Sequence, residues 1–95
     1  MKRETISPTI EMLLKARALI EENWCKGPCH GPEVCAVEAL WKIANGPSFA
    51  VAWLQKALPT PWVAVIPYND YMDTTKADIL ALYDRAIDLA LKDGQ

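Results

Sequence analysis

Pro32-Glu33-Val34-Cys35-Ala36-Val37-Glu38-Ala39-Leu40-Trp41-Lys42-Ile43-Ala44-Asn45 is the stretch on which the fold class turns. It is apolar almost throughout, and Glu38, Lys42 and Asn45 recur at spacings of four and three, which puts them in one narrow polar stripe of a helix. A helix polar on so little of its circumference is buried on the rest. The expectation is a central, most buried helix from Pro32 to Asn45. Asn45-Gly46-Pro47 ends it, because Asn or Gly accepts the left-handed conformation at a helix end and proline cannot continue the hydrogen-bond ladder.

Working outward, Ser7-Pro8 offers a capping hydroxyl and a proline preset for the first helical position. Met12, Leu13, Ala16, Leu19, Ile20 and Trp24 then form an apolar stripe, with Glu11–Lys15 and Arg17–Glu21 as exposed pairs at i,i+4. From Asn23 to Glu33 the periodicity stops at Gly27-Pro28 and Gly31-Pro32. Beyond the central helix, Ser48 to Leu58 reads as a shorter helix that exposes Gln55 and Lys56 and buries Phe49, Ala52, Trp53 and Leu58. Pro59-Thr60-Pro61 enforces extended backbone, and Trp62-Val63-Ala64-Val65-Ile66 is β-prone. It reads as an extended segment over the helices, or as an edge strand used in dimerisation. Asn69-Asp70 is turn chemistry, and Thr75 with Asp78 makes a capping box. The last helix buries Ile79, Leu82, Tyr83, Ala86, Leu89 and Ala90 and stops at Asp93-Gly94. The expected architecture is all-α: one domain over residues 1–95, with four helices and one short extended segment.

Composition bounds the function. The chain has 95 residues, 52% of them hydrophobic and 23% charged, with 10 Lys and Arg against 12 Asp and Glu for a net charge of −2. A single core fits this length, with a radius of gyration of about 12 Å. The longest unbroken apolar run, Phe49 to Leu54, is far short of the roughly 18 residues a membrane span requires. Met1-Lys2-Arg3-Glu4 leads into no apolar block, so no secretory signal is read and a cytoplasmic location is expected. The scattered positive charges give no phosphate-binding face, which argues against direct nucleic-acid binding. Residues 69–95 carry Asp70, Asp73, Asp78, Asp84, Asp88 and Asp93 against Lys76, Arg85 and Lys92, a local balance of −3. A charged partner is therefore expected to be basic.

Cys25, Cys29 and Cys35 lie within eleven residues of one another, together with the sole histidine, His30. Thiolate and imidazole are the ligands structural zinc prefers, and these four would complete a Cys3His tetrahedron. The spacing lacks the paired Cys-x-x-Cys of most such sites, and Cys35 falls inside the apolar helix. Three cysteines cannot close a disulfide framework, and a reducing compartment disfavours even one bridge. A Cys–His dyad would need His30 to reach Cys25 or Cys35 and a third group to orient the ring. Ser7 and Ser48 read as helix starts, and neither a phosphate-cradling glycine loop nor a His-Glu-x-x-His pair is present. Asn69, Asp70 and Asp73 offer oxygen ligands without the spacing of a calcium loop. Trp62, Tyr68 and Tyr71 flank the proline-bounded segment and are the aromatic anchors expected of a binding surface.

Leu14-Lys15-Ala16-Arg17-Ala18-Leu19-Ile20 leading into Trp24-Cys25-Lys26-Gly27, then Cys35-Ala36-Val37-Glu38-Ala39-Leu40, resembles the first half of a small uncharacterised family found in bacteria and phages. Ile66-Pro67-Tyr68-Asn69-Asp70 followed by Thr75-Lys76-Ala77-Asp78-Ile79-Leu80-Ala81-Leu82 resembles its second half. The resemblance implies helical architecture and a bacterial or phage origin, and it transfers no catalytic residue.

The expected function is non-enzymatic protein binding. The surface would be built from Lys26 and His30 in the 23–33 loop and from Trp62, Tyr68, Asn69, Asp70, Tyr71 and Asp73. A phage protein of this kind would act as an inhibitor of a host factor. A structural zinc domain and a thiol enzyme or redox sensor are the alternatives, and a homodimer is compatible with each.

Overall fold

A computed structural model describes residues 7–94, in which α1 (Pro8–Asn23), α2 (Ala36–Ala44), α3 (Val51–Ala57), α4 (Val65–Asp70) and α5 (Lys76–Lys92) follow in order. The non-secretory reading of Met1-Lys2-Arg3-Glu4 lies outside the described residues. The all-α expectation holds, and no described helix is long and apolar enough to cross a membrane.

The two long helices begin as their sequences dictate. Ser7 Oγ accepts the Ile10 amide at 3.1 Å with Pro8 at the first helical position. Thr75 Oγ1 accepts the Asp78 amide at 3.2 Å while Asp78 Oδ2 accepts the Thr75 amide at 2.9 Å. Such caps satisfy amides that a helix start leaves without intrahelical partners. α1 and α5 pack side by side and antiparallel: Arg17 Nε donates to Asp84 Oδ1 at 2.7 Å, and Lys76 Nζ donates to the Glu21 carbonyl at 2.8 Å. Between them lie Leu13, Ala16 and Ile20 from α1 and Ile79, Leu82, Tyr83 and Ala86 from α5, all buried. α2 packs on α1, α3 on α5 and α4 on α2, so one core joins all five helices.

α2 starts at Ala36 rather than Pro32. Val34 is held extended by a parallel bridge to Trp24, in which Cys25 N donates to Val34 O at 3.0 Å and Val34 N to Asn23 O at 2.9 Å. That pairing is incompatible with helical backbone at Val34. Cys35 is therefore the cap, not an interior residue: its Sγ accepts the Glu38 amide at 3.4 Å, and Glu38 Oε1 accepts the Cys35 amide at 3.2 Å. Nor is α2 surrounded on all sides, because Trp41 is 42% exposed.

Three further expectations are corrected. α3 begins at Val51, and its buried stripe is Ala50, Leu54 and Ala57, whereas Phe49 is 68% exposed, Ala52 is exposed, and Trp53 and Leu58 are half-buried. Leu89 in α5 is also exposed. Pro59-Thr60-Pro61 is a turn rather than extended backbone, with Trp62 N donating to the Pro59 carbonyl at 2.9 Å. The residues after it stay non-helical only through Ala64, and Val65–Asp70 forms an additional helix, α4. Pro67 is its third residue, within the first turn, where the amide it lacks would have had no intrahelical acceptor.

Tyr83 ties α5 to α2 by donating its hydroxyl to the Ala36 carbonyl at 2.5 Å. Burial pushes its ionisation far above the ordinary tyrosine range. The folded chain thus keeps a proton that the unfolded chain loses above about pH 10. The stability carried by the neutral phenol is intact below that pH and falls as pH rises, by up to about 1.4 kcal/mol per pH unit. Burial raises Tyr68 in the same direction. Tyr83→Phe is expected to flatten most of the alkaline fall in the urea midpoint at the expense of about 1 kcal/mol at neutral pH. An unchanged slope would assign the fall to other groups.

Candidate functional site

The loop after α1 and the helix α4 are far apart in sequence, and the side chain of Asn69 joins them. Asn69 is fully buried. Its Oδ1 accepts from Trp24 Nε1 at 2.6 Å and from the Ala36 amide at 3.0 Å, and its Nδ2 donates to the Cys25 carbonyl at 3.1 Å and to Asp70 Oδ1 at 3.0 Å. Two donors and two acceptor sites are all a carboxamide has, so every valence is spent on holding three segments together. The same Asp70 oxygen accepts the Gly27 amide at 2.8 Å. Gly27 has φ +66°, a left-handed conformation that disfavours residues with a Cβ. Lys26 Nζ donates to the carbonyls of Tyr71 at 2.7 Å and Met72 at 2.9 Å.

The structure thus brings together the two segments expected to form the binding surface, and it divides their residues by role. Asn69 and Tyr68 are buried and hold the segment from beneath. Trp62 is half-buried, edge-on to Tyr68 with ring centroids 5.5 Å apart and to Tyr71 at 5.1 Å. Lys26 is half-buried with its ammonium on the two carbonyls, whereas His30, Asp70, Tyr71 and Asp73 are exposed. Sequence reasoning passed over Val63, Ile66 and Met72, which are exposed and apolar. For Val63 and Ile66 the signal was the apolar run over residues 62–66 itself, read as a segment laid over the helices or an edge strand; Met72 lies outside that run.

The cysteines part company. Cys25 is bonded to Cys29, with Cα atoms 6.0 Å apart, a single bridge of the kind that a reducing compartment was expected to disfavour; that separation is one a disulfide spans readily. Cys35 is buried at the start of α2, and burial pushes its thiol up. His30 stands on the loop surface, its backbone amide donating to Glu33 Oε1 at 3.1 Å. Cys25, Cys29, His30 and Cys35 are not gathered: among the described residues, no three His, Cys, Asp or Glu side chains come together as a set able to hold a metal ion. Cys29 instead lines a groove of about 350 Å³ beside Glu38, Trp41 and Lys42.

Fold and site together define a small all-α domain whose cysteine-closed loop is pinned to a short helix by one buried carboxamide. The chain belongs to a family of unknown function, DUF6197, whose model matches residues 5–89. No match was found among curated proteins or solved structures.

Proposed function

We propose that this domain is a non-enzymatic protein-binding module that docks a partner on the strip formed by residues 63–72, and that the partner presents an apolar segment flanked by basic side chains. The observation that carries this reading is a segment rich in exposed apolar side chains and held in place by a buried polar network. Val63 is 77% exposed, Ile66 46%, Tyr71 44% and Met72 81%, on a segment that Asn69, Lys26 and Gly27 fix from below. Clustered exposed apolar groups mark interaction sites more often than scattered ones do. An apolar groove of about 320 Å³ continues the strip past Ile66 and Pro67 to Trp41 and Val51. The basic character of the partner follows from Asp70 and Asp73, from the absence of any cation between Val63 and Thr75, and from the engagement of Lys26 with backbone carbonyls. Such complementarity steers encounter as well as register. In its concrete form the module would cover the basic, nucleic-acid-binding face of a host regulator, as a phage-type inhibitor.

Panning a random peptide library on the immobilised chain, followed by amide chemical-shift mapping, tests the reading. Selected peptides are expected to combine Lys or Arg with aromatic or aliphatic residues and to perturb the amides of residues 63–73. Met72→Glu is expected to weaken them at least about tenfold, or about 1.4 kcal/mol, with an unchanged far-ultraviolet spectrum. Peptides that map elsewhere, or that bind Met72→Glu as well as the parent, would overturn it.

A further inference from the structure

The 25–29 turn meets residues 69–72 through the Cys25 carbonyl, which accepts from Asn69, and through the Lys26 ammonium and the Gly27 amide, which donate, all inside the ring that the Cys25–Cys29 bond closes. The clamp and the disulfide are therefore one mechanical unit. Cys29 is only half-buried and lines the groove beside Glu38, Trp41 and Lys42, the side from which a small thiol can approach this residue. Cys29 Sγ also lies 3.4 Å from the Gly27 carbonyl, an acceptor that only a reduced thiol can use. Cys35, buried and engaged as a helix cap, has neither feature.

We propose that Cys25 and Cys29 form a reversible thiol–disulfide site whose oxidised state holds residues 69–73 in order. For its consequence in partner binding this rests on the function proposed above; for the chemistry and the ordering it does not. A thiolate of the glutathione class attacks Cys29 Sγ through the groove, forming a mixed disulfide there and releasing Cys25 as a thiolate that takes up a proton. A second thiol attacks the outer sulfur of the mixed disulfide, freeing Cys29 as a thiol and leaving the reagent as its own disulfide. Two electrons and two protons pass from two thiols to the bridge, and an oxidised reagent of the same class drives the reverse. The ring-opened turn gains freedom that the closed one lacked, so Gly27 and Lys26 hold their acceptors for less of the time.

The test uses the full chain equilibrated near neutral pH in buffers of graded reduced and oxidised glutathione. Samples are quenched in acid, labelled with maleimide after unfolding and weighed intact. The expected result is a reversible passage from one label, on Cys35, to three. Amide hydrogen exchange at Gly27, Tyr71 and Thr74 is expected to be on the order of tenfold faster in the reduced form, with the α1 and α5 amides unchanged. Cys35→Ala should repeat the passage with one label fewer in each state. Three labels in every buffer, or a full passage with equal exchange at those amides, would overturn the proposal. Neither readout involves a partner, so failure of the binding function and failure of this site are separate results.

Discussion

Asn69→Ala is expected to cost about 4 kcal/mol of folding stability. The substitution strands the buried Ala36 amide and the partly buried Trp24 indole N–H and Cys25 carbonyl, and each unsatisfied group costs about 1–3 kcal/mol less whatever relaxation or water recovers. Domains of this size have roughly 5–15 kcal/mol in all, so the loss should appear as a drop in melting temperature and in urea midpoint. Asn69→Asp separates hydrogen bonding from packing. It keeps the size and one acceptor but sets a second acceptor against the Cys25 carbonyl and Asp70 Oδ1, and it is expected to be nearly as damaging near neutral pH. A parent-like midpoint for both variants would remove Asn69 from its place as the anchor.

The second large effect lies in α3. Leu54 is fully buried against the core, and Leu54→Ala is expected to cost about 3 kcal/mol through lost transfer energy and the cavity left behind. Phe49→Ala, two residues before α3 begins, should stay within about 0.5 kcal/mol because its ring is exposed. Paired denaturant titrations decide which face of α3 meets α5, since the opposite ranking would require the phase first expected from the sequence.

The terminal helices were legible because their signals are local. Ser7-Pro8 and the Thr75–Asp78 box act within one turn, and α1 and α5 are long enough for the apolar spacing to show its phase. α4 was not legible for the opposite reason. Its residues Val65 and Ile66 belong to a β-prone run beside prolines, and no side chain caps its start at Ala64. What favours it is Asn69, whose partners Trp24, Cys25 and Ala36 are remote in sequence, and to a reader of the sequence a lone Asn before Asp is a turn. Cys35 misled in a similar way, because sulfur is a weak acceptor and an uncommon cap. Glu38, three residues on, was the clue, since it completes a capping box. The short α3 left its phase ambiguous by one position, enough to exchange Phe49 for Ala50 at the core. The candidate site was visible as two aromatic-bearing irregular segments; that they are stitched together, and by which atoms, lies in contacts across more than forty residues.

The pairing of α1 with α5 bears on the order of events during synthesis. The first described helix to leave the ribosome finds its longest partner only when the last has been made, so α1 waits with Leu13, Ala16 and Ile20 uncovered or covered by α2 alone. Closing a loop of that span comes late and is entropically costly. A nascent chain stalled before α5 should therefore be a substrate for chaperones and proteases, and the emergence and docking of α5 should be the step at which it escapes them.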